Sequence, residues 1–196
     1  MKRLSKKLIA LVMAMTMVLA MGVTSFAATP DEDDLITVPV KVEIVNLPSS
    51  YSGSQQVGVI FNGNVTIDTT DQQNPTVMDF IDATGLTISK SSDGQYISAI
   101  NGVANYDETY TSNYYKGYSW MIDLKAGSSV TLTGTAPSWA DPAPSANAWF
   151  SSPLAATNVN MNGSQFFPYD YSDQSAGFTT SVEGIVVKYV MTEASW

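Results

Sequence analysis

The sequence predicts an α+β fold in which one helix packs on a face of a mixed sheet. Two observations lead to this prediction: about five segments alternate apolar and polar residues, and one short segment has the spacing of a capped amphipathic helix. A chain of 196 residues is long enough to bury a full hydrophobic core. We therefore expect a single domain over residues 37–196.

The first two predicted strands come early in the chain. Between Thr37 and Ile44, β-branched residues occupy every second position, which is the pattern of a half-buried strand. Residues 57–61 repeat this alternation. The following Asn62-Gly63 pair has the chemistry of a turn, and we expect it to end the second strand.

One helix is predicted after Pro75. Thr76 can cap the free backbone amides, while Asp79 reaches back in a capping-box arrangement. The left-handed conformation that glycine adopts easily would end the helix at Gly85. Apolar residues follow the cap at helical spacing on one face, namely Val77, Phe80 and Ile81.

Three further strands are predicted in the rest of the chain. Residues 95–103 contain one of them and include an Asn101-Gly102 turn. Residues 118–124 alternate around Trp120. Residues 185–191 are apolar on both faces, which is typical of a strand in the centre of a sheet.

Between these last two strands, residues 134–180 lose the alternation and form a long insertion rich in aromatic residues and proline. Such stretches are usually functional or disordered, and the aromatic content argues against disorder. Trp139, Trp149 and Phe150 then have two possible roles. Exposed together they form an apolar patch for a partner, and buried together they form a satellite core.

The first 27 residues have the features of a secretory signal peptide. A basic start (Met1–Lys7) precedes an apolar run (Leu8–Val23) that is short for the about 20 residues of a membrane span, and small residues end at Ala27. Residues 28–36 form a predicted acidic, disordered leader. We expect a secreted protein, free or held non-covalently at the cell wall, without a transmembrane segment in the mature chain.

Composition excludes several kinds of chemistry. After residue 27 the chain has five lysines, no arginine and 18 acidic residues, a formal charge of −13, which argues against binding of nucleic acid. It has no histidine and no cysteine, so a Ser-His triad, a thiolate nucleophile and an ordinary zinc site are excluded. Neighbouring strand residues such as Asp107 and Glu108 point to opposite faces and form a poor carboxylate pair for hydrolysis. We expect no enzyme, no metal and no cofactor.

Four segments, in this order, resemble the transcobalamin-like C-terminal domain family. That family has a helix beginning TVLDAL, then strands with the patterns GxYVxSIxGI, GWMYxVNG and DGDxIxWxY. The resembling segments are Thr76–Ile81 (TVMDFI), Gly94–Val103 (GQYISAINGV), Gly117–Asp123 (GYSWMID) and Val182–Tyr189 (VEGIVVKY). The resemblance covers about residues 37–192, interrupted by the insertion, and implies a β-grasp-like fold. In vitamin B12 carriers this domain covers one face of the corrinoid.

Aromatic residues are the candidate binding residues. Tyrosines crowd what we interpret as a loop before residue 118, where they either stack on a flat ligand or a sugar ring, or close over the core. Tyr96 and Trp120 have the same two alternatives. The sequence thus predicts a secreted, non-enzymatic module that binds a corrinoid or another flat small molecule, or alternatively a cell-surface or matrix domain that binds a protein or glycan. The predicted ligand-binding residues are Tyr96, Tyr114, Tyr115, Tyr118, Trp120, Trp139, Trp149 and Phe150.

Overall fold

The computed structural model describes residues 34–70, 74–92, 94, 96–151, 163–170 and 173–196. The predicted signal peptide (residues 1–27) and residues 28–33 of the predicted acidic leader lie outside these residues. Residues 35 and 36, which we assigned to the leader, instead begin the first strand.

Five strands form the main path of a mixed sheet. From one edge to the other, the order is β2 (Gly58–Asp68), β1 (Leu35–Ile44), β11 (Asp173–Ser195), β7 (Tyr114–Ala126) and β6 (Tyr106–Thr111). β1 is parallel to β11, and all other neighbours along this path are antiparallel. The long last strand therefore lies in the centre, as its two apolar faces predicted.

Three shorter strands extend this sheet to eight. β10 (Ser164–Asp170) and β8 (Thr131–Thr133) pair with the first half of β11, and β9 (Trp149–Ser151) pairs with β7. A separate three-stranded sheet and one helix complete the described structure. They are β3 (Ile88–Lys90), β4 (Ile97–Ile100), β5 (Val103–Ala104) and α1 (Val77–Asp82).

The predicted α+β, β-grasp-like fold class is wrong, because the described structure is nearly all sheet. Strands account for 59% of the described residues and helix for 5%. The helix does form with its predicted capping box, since the Asp79 N–H donates to Thr76 and the Thr76 N–H donates to the Asp79 carboxylate. It ends after six residues, however, and this single short helix is too small to form a helical layer.

One face of the main sheet carries the hydrophobic core. Val40 lies opposite Ile185, which in turn lies opposite Leu124, and all three side chains are fully buried. Phe80 of α1 and Ile100 of β4 belong to the same buried cluster. The helix and the small sheet thus cover the apolar face of the main sheet.

Two predictions about local structure are also wrong. The Asn62-Gly63 pair does not form a turn: Gly63 lies inside β2, directly opposite Val40, because β1 is long enough to pair with the strand beyond it. Residues 134–180 are not an insertion without alternation, since β9, β10 and the beginning of β11 lie within this range. These segments form strands because they pair with an existing sheet, which overrides their weak local preference.

In the part of the chain that the structure describes, no helix has the length and apolar character needed to cross a bilayer.

Candidate functional site

The stretch predicted as a tyrosine-rich loop is a hairpin formed by β6 and β7. Tyr110 lies opposite Tyr115, and the two ring centroids are 6.4 Å apart with an interplanar angle of 72°. The Trp196 ring contacts Tyr110 at a centroid distance of 6.4 Å. Tyr110, Tyr115 and Trp196 are called the hairpin aromatic cluster below.

Strand register brings these three rings to one face of the sheet. Tyr115 lies opposite Ala194 of β11, so Trp196, two residues further, points to the same face. Gly117 contributes through the absence of a side chain, because a Cβ atom there would overlap the Tyr115 hydroxyl. The Tyr115 ring therefore lies against the backbone of its own strand.

Hydrogen bonds hold two of the rings while large parts of the cluster stay open to solvent. The Tyr115 hydroxyl donates to Asp107 Oδ1 (3.0 Å), and the Trp196 Nε1–H donates to the Ser112 carbonyl oxygen (2.8 Å). Partial burial, followed by this bond to Asp107, raises the pKa of Tyr115. Tyr110 is 77% exposed and Trp196 is 65% exposed. The cluster is thus an ordered, solvent-facing aromatic surface.

The charged residues of the hairpin divide between the two faces of the sheet. The Lys116 ammonium lies 3.0 Å from Glu108, and the bond to Glu108 raises the pKa of Lys116. The Tyr114 hydroxyl donates to Glu193 Oε1 (2.8 Å), which raises the pKa of Tyr114. Asp107 thus lies on the face of the cluster, whereas Lys116 and its neighbours Glu108 and Glu193 lie on the opposite face of the sheet.

Two predicted binding residues belong to the hydrophobic core. The Tyr118 ring stacks on Tyr189, with centroids 6.1 Å apart, and both side chains are buried. Trp120 is also buried, and its Nε1–H donates to the Val103 carbonyl oxygen (2.8 Å). Packing therefore accounts for the positions of both rings.

The predicted residues of the 134–180 region have separate environments. Phe150 packs against Phe167 and Phe178 in a small aromatic core, with centroid distances of 4.9 and 5.3 Å. Trp149 is half exposed and lies over Gly184, where a Cβ atom would be 3.1 Å from its ring. Trp139 is exposed in the loop before β9.

The eight predicted residues do not line one site. Trp149 pairs with Lys125, ten residues along β7 from Tyr115, a separation of about 33 Å. Tyr96 is exposed in the segment that precedes β4. Ligand binding by any of these residues stays a prediction.

The predicted set left out two residues of the hairpin aromatic cluster. Tyr110 belongs to the tyrosine-rich stretch, and its alternation with the polar residues around it was a usable signal. Trp196 gives no such signal alone, because its contact with Tyr110 depends on the pairing of β11 with β7. Only the register between two distant segments identifies it.

The residues that the structure describes give no support for a metal site. Within the described ranges, no group of three or more histidine, cysteine or carboxylate residues has an arrangement that could hold a metal ion.

No family model, no curated protein and no solved structure matches this chain. The resemblance to the transcobalamin-like family therefore stays a prediction.

Proposed function

We propose that this protein is a secreted, non-enzymatic binding module and that the hairpin aromatic cluster binds a neutral glycan. The observation that carries this proposal is the contact of Tyr110 with both Tyr115 and Trp196 at a largely exposed surface. Large aromatic side chains are normally buried, and a group of them open to solvent is typical of a binding surface.

Sugar rings fit the chemistry of this surface. A pyranose ring has an apolar C–H face and a rim of hydroxyl groups, which matches an aromatic ring beside a polar acceptor. Asp107 accepts one bond from Tyr115, and a carboxylate has capacity for several more, so it can also accept from a sugar hydroxyl. The rings are held before binding, which lowers the entropic cost of association.

Charge favours a neutral ligand over an acidic one. Asp107 contacts the cluster through Tyr115, Lys116 lies on the opposite face of the sheet, and the chain beyond residue 27 carries five lysines against 18 acidic residues. Like charges repel an anionic polysaccharide during approach and in the complex. We therefore expect uncharged hexose polymers to bind better than sulfated or uronic acid polymers.

Depletion of the protein from solution by neutral insoluble polysaccharides tests the proposal. Burial of an aromatic side chain is worth about 1.5–3 kcal/mol, so Tyr110→Ala or Trp196→Ala should weaken binding about tenfold or more. Trp139→Ala is the matched control, since it removes an exposed tryptophan outside the cluster. Equal weakening in all three variants, or binding only to anionic polymers, would contradict the proposal.

Cobalamin is the second probe, because the transcobalamin-like resemblance implies a flat corrinoid ligand. The protein is incubated with cobalamin and separated by gel filtration, and visible absorbance is followed in the protein peak. Colour that co-elutes with the protein and is lost in Tyr115→Ala would favour the corrinoid over the glycan. A colourless protein peak, together with polysaccharide binding, supports the glycan proposal.

A further inference from the structure

We propose that the outer edge of β2 pairs with β2 of a second copy of this chain, antiparallel and about a two-fold axis at Gly63. The two main sheets then join into one continuous sheet. This inference is independent of the glycan proposal, because β2 and the hairpin aromatic cluster lie at opposite edges of the main sheet.

The backbone of β2 has hydrogen-bonding groups available for such a partner. The Thr69 N–H donates to the Asp34 carbonyl oxygen (2.7 Å) and continues the register in which Leu35 lies opposite Asp68. In an antiparallel pair, alternate residues direct both backbone groups to the neighbour. From Phe61 onward, beyond the bulge at Ile60, odd-numbered residues of β2 therefore bond to β1, and the even-numbered residues point outward: Asn62, Asn64, Thr66 and Asp68. No strand of the described residues pairs with this edge.

The centre of β2 has a symmetric pattern of residue types, which favours a second copy as the partner. Residues 61–65 read Phe-Asn-Gly-Asn-Val, with Gly63 at the centre, an asparagine on each side of it and an apolar residue beyond each asparagine. Antiparallel pairing of two identical strands about Gly63 places Asn62 opposite Asn64 and Phe61 opposite Val65. This register also matches the hydrogen-bonding pattern of an antiparallel pair. The backbone N–H and C=O groups of Asn62 point outward and face those of Asn64 in the copy.

Side-chain chemistry agrees with this register. Aromatic and β-branched residues opposite each other, such as Phe61 and Val65, are favourable cross-strand pairs. The one charged residue of β2, Asp68, lies five residues from the axis, so its carboxylate and that of the copy are about ten residues apart along the paired strands. An unrelated peptide has no reason to fit both features.

Asn64→Pro tests whether the edge of β2 is the interface. Asn64 directs its N–H outward, so proline removes a bond to the copy and leaves the bonds between β2 and β1 in place. Asn64→Ala is the matched control, because it keeps the backbone N–H. By light scattering after gel filtration, the unaltered protein and Asn64→Ala should have twice the monomer mass, and Asn64→Pro should have the monomer mass.

Cysteine cross-linking tests the register, since the chain has no cysteine of its own. Gly63→Cys places both thiols at the two-fold axis, where Cα atoms of opposite residues are about 4.5 Å apart, within disulfide range. A Cβ atom at Gly63 would make an ordinary 3.6 Å contact with Phe61, so the substitution fits. In Thr66→Cys, the control, the two thiols are about six residues or 20 Å apart along the strands. Oxidation should give a covalent dimer only for Gly63→Cys.

Three results would overturn the inference. They are a monomeric unaltered protein across a concentration series, a dimer that persists in Asn64→Pro, and equal cross-linking of Gly63→Cys and Thr66→Cys. Circular dichroism of each variant checks that the sheet has formed. If Asn64→Pro fails to fold, the cross-linking pair alone decides the matter.

Discussion

The two edge strands of the main sheet differ in how they are protected from pairing with another chain. β6 has six residues, carries Asp107 and Glu108, and has a bulge between Asp107 and Thr109. β2 has 11 residues and a single charge at its end. Short length, charge and bulges are the usual means of preventing edge-to-edge association. β6 has all three, whereas β2 has a bulge at Ile60 but is long and almost uncharged.

The residues that support the two edges also differ. Behind β6, Tyr118, Trp120 and Tyr189 form a group of buried, contacting rings. Behind β2, Val65 is the buried residue of the strand itself, and Phe61 is only partly buried. The protected edge thus rests on large aromatic side chains, and the open edge rests on smaller contacts. We infer that the β6 side contributes more to stability and that the β2 side is free to contribute to assembly.

The largest expected effect comes from removing an aromatic residue behind β6. Trp120→Ala leaves a cavity and an unpaired Val103 carbonyl group, and we expect a loss of about 3–5 kcal/mol in the free energy of unfolding. Val65→Ala behind β2 removes two methyl groups, and we expect a loss of about 1–2 kcal/mol. Urea denaturation of both variants measures the difference. Equal losses would contradict the inference about the two sides.

A smaller effect is expected from Tyr189→Phe. The Tyr189 hydroxyl donates to the Ala104 carbonyl oxygen (2.7 Å), and loss of this bond should cost about 1 kcal/mol. Burial raises the pKa of Tyr189 to about 12 from its usual value of 10. The folded protein therefore keeps a proton that the unfolded chain loses, and this stabilisation is complete below pH 10 and is lost as the pH rises to 12.

Denaturation between pH 9 and pH 12 measures this contribution. The stability of the unaltered protein should fall over the upper part of this range, and Tyr189→Phe should reduce the slope. The slope should not vanish, because the raised pKa values of Tyr114 and Tyr115 act in the same direction. An unchanged slope would mean that Tyr189 has the same pKa in both states.

The smallest effect on stability is expected from neutralising the charges of β6. Asp107→Asn with Glu108→Gln removes the ion pair of Glu108 with Lys116, and exposed pairs contribute about 0–1 kcal/mol. In an Asn64→Pro background, where the open edge is blocked, the neutralised β6 edge should now associate. Sedimentation velocity detects this association. A protein that stays monomeric would show that the bulge and short length protect β6 without the charges.

Much of the local structure follows from the sequence. The capping box of Thr76 and Asp79 and the central position of residues 185–191 depend on nearby residues, and both predictions are confirmed. The Asn101-Gly102 turn is also confirmed, with positive φ angles of 49° and 79°. In each case a short segment contains the information that determines its own conformation.

The errors arise where a distant strand decides the outcome. The same Asn-Gly pair forms a turn at Asn101 and strand at Asn62, because β1 pairs with β2 on both sides of Gly63. Missing six of the strands led to the wrong fold class. The candidate site follows the same rule: Tyr115 is identifiable from its crowded surroundings, whereas Trp196 requires knowledge of how β11 and β7 pair.

The position of β11 has a consequence for how the chain folds. This strand comes last in the sequence, yet it separates β1 from β7 and also pairs with β8 and β10. Its pairing of Ile185 with Val40 joins the two ends of the described chain, a contact of high sequence separation that implies slow folding. Hairpins of β1 with β2 and of β6 with β7 are local and can form early. The main sheet closes only when the final strand arrives, and until then β1 and β7 each expose an edge.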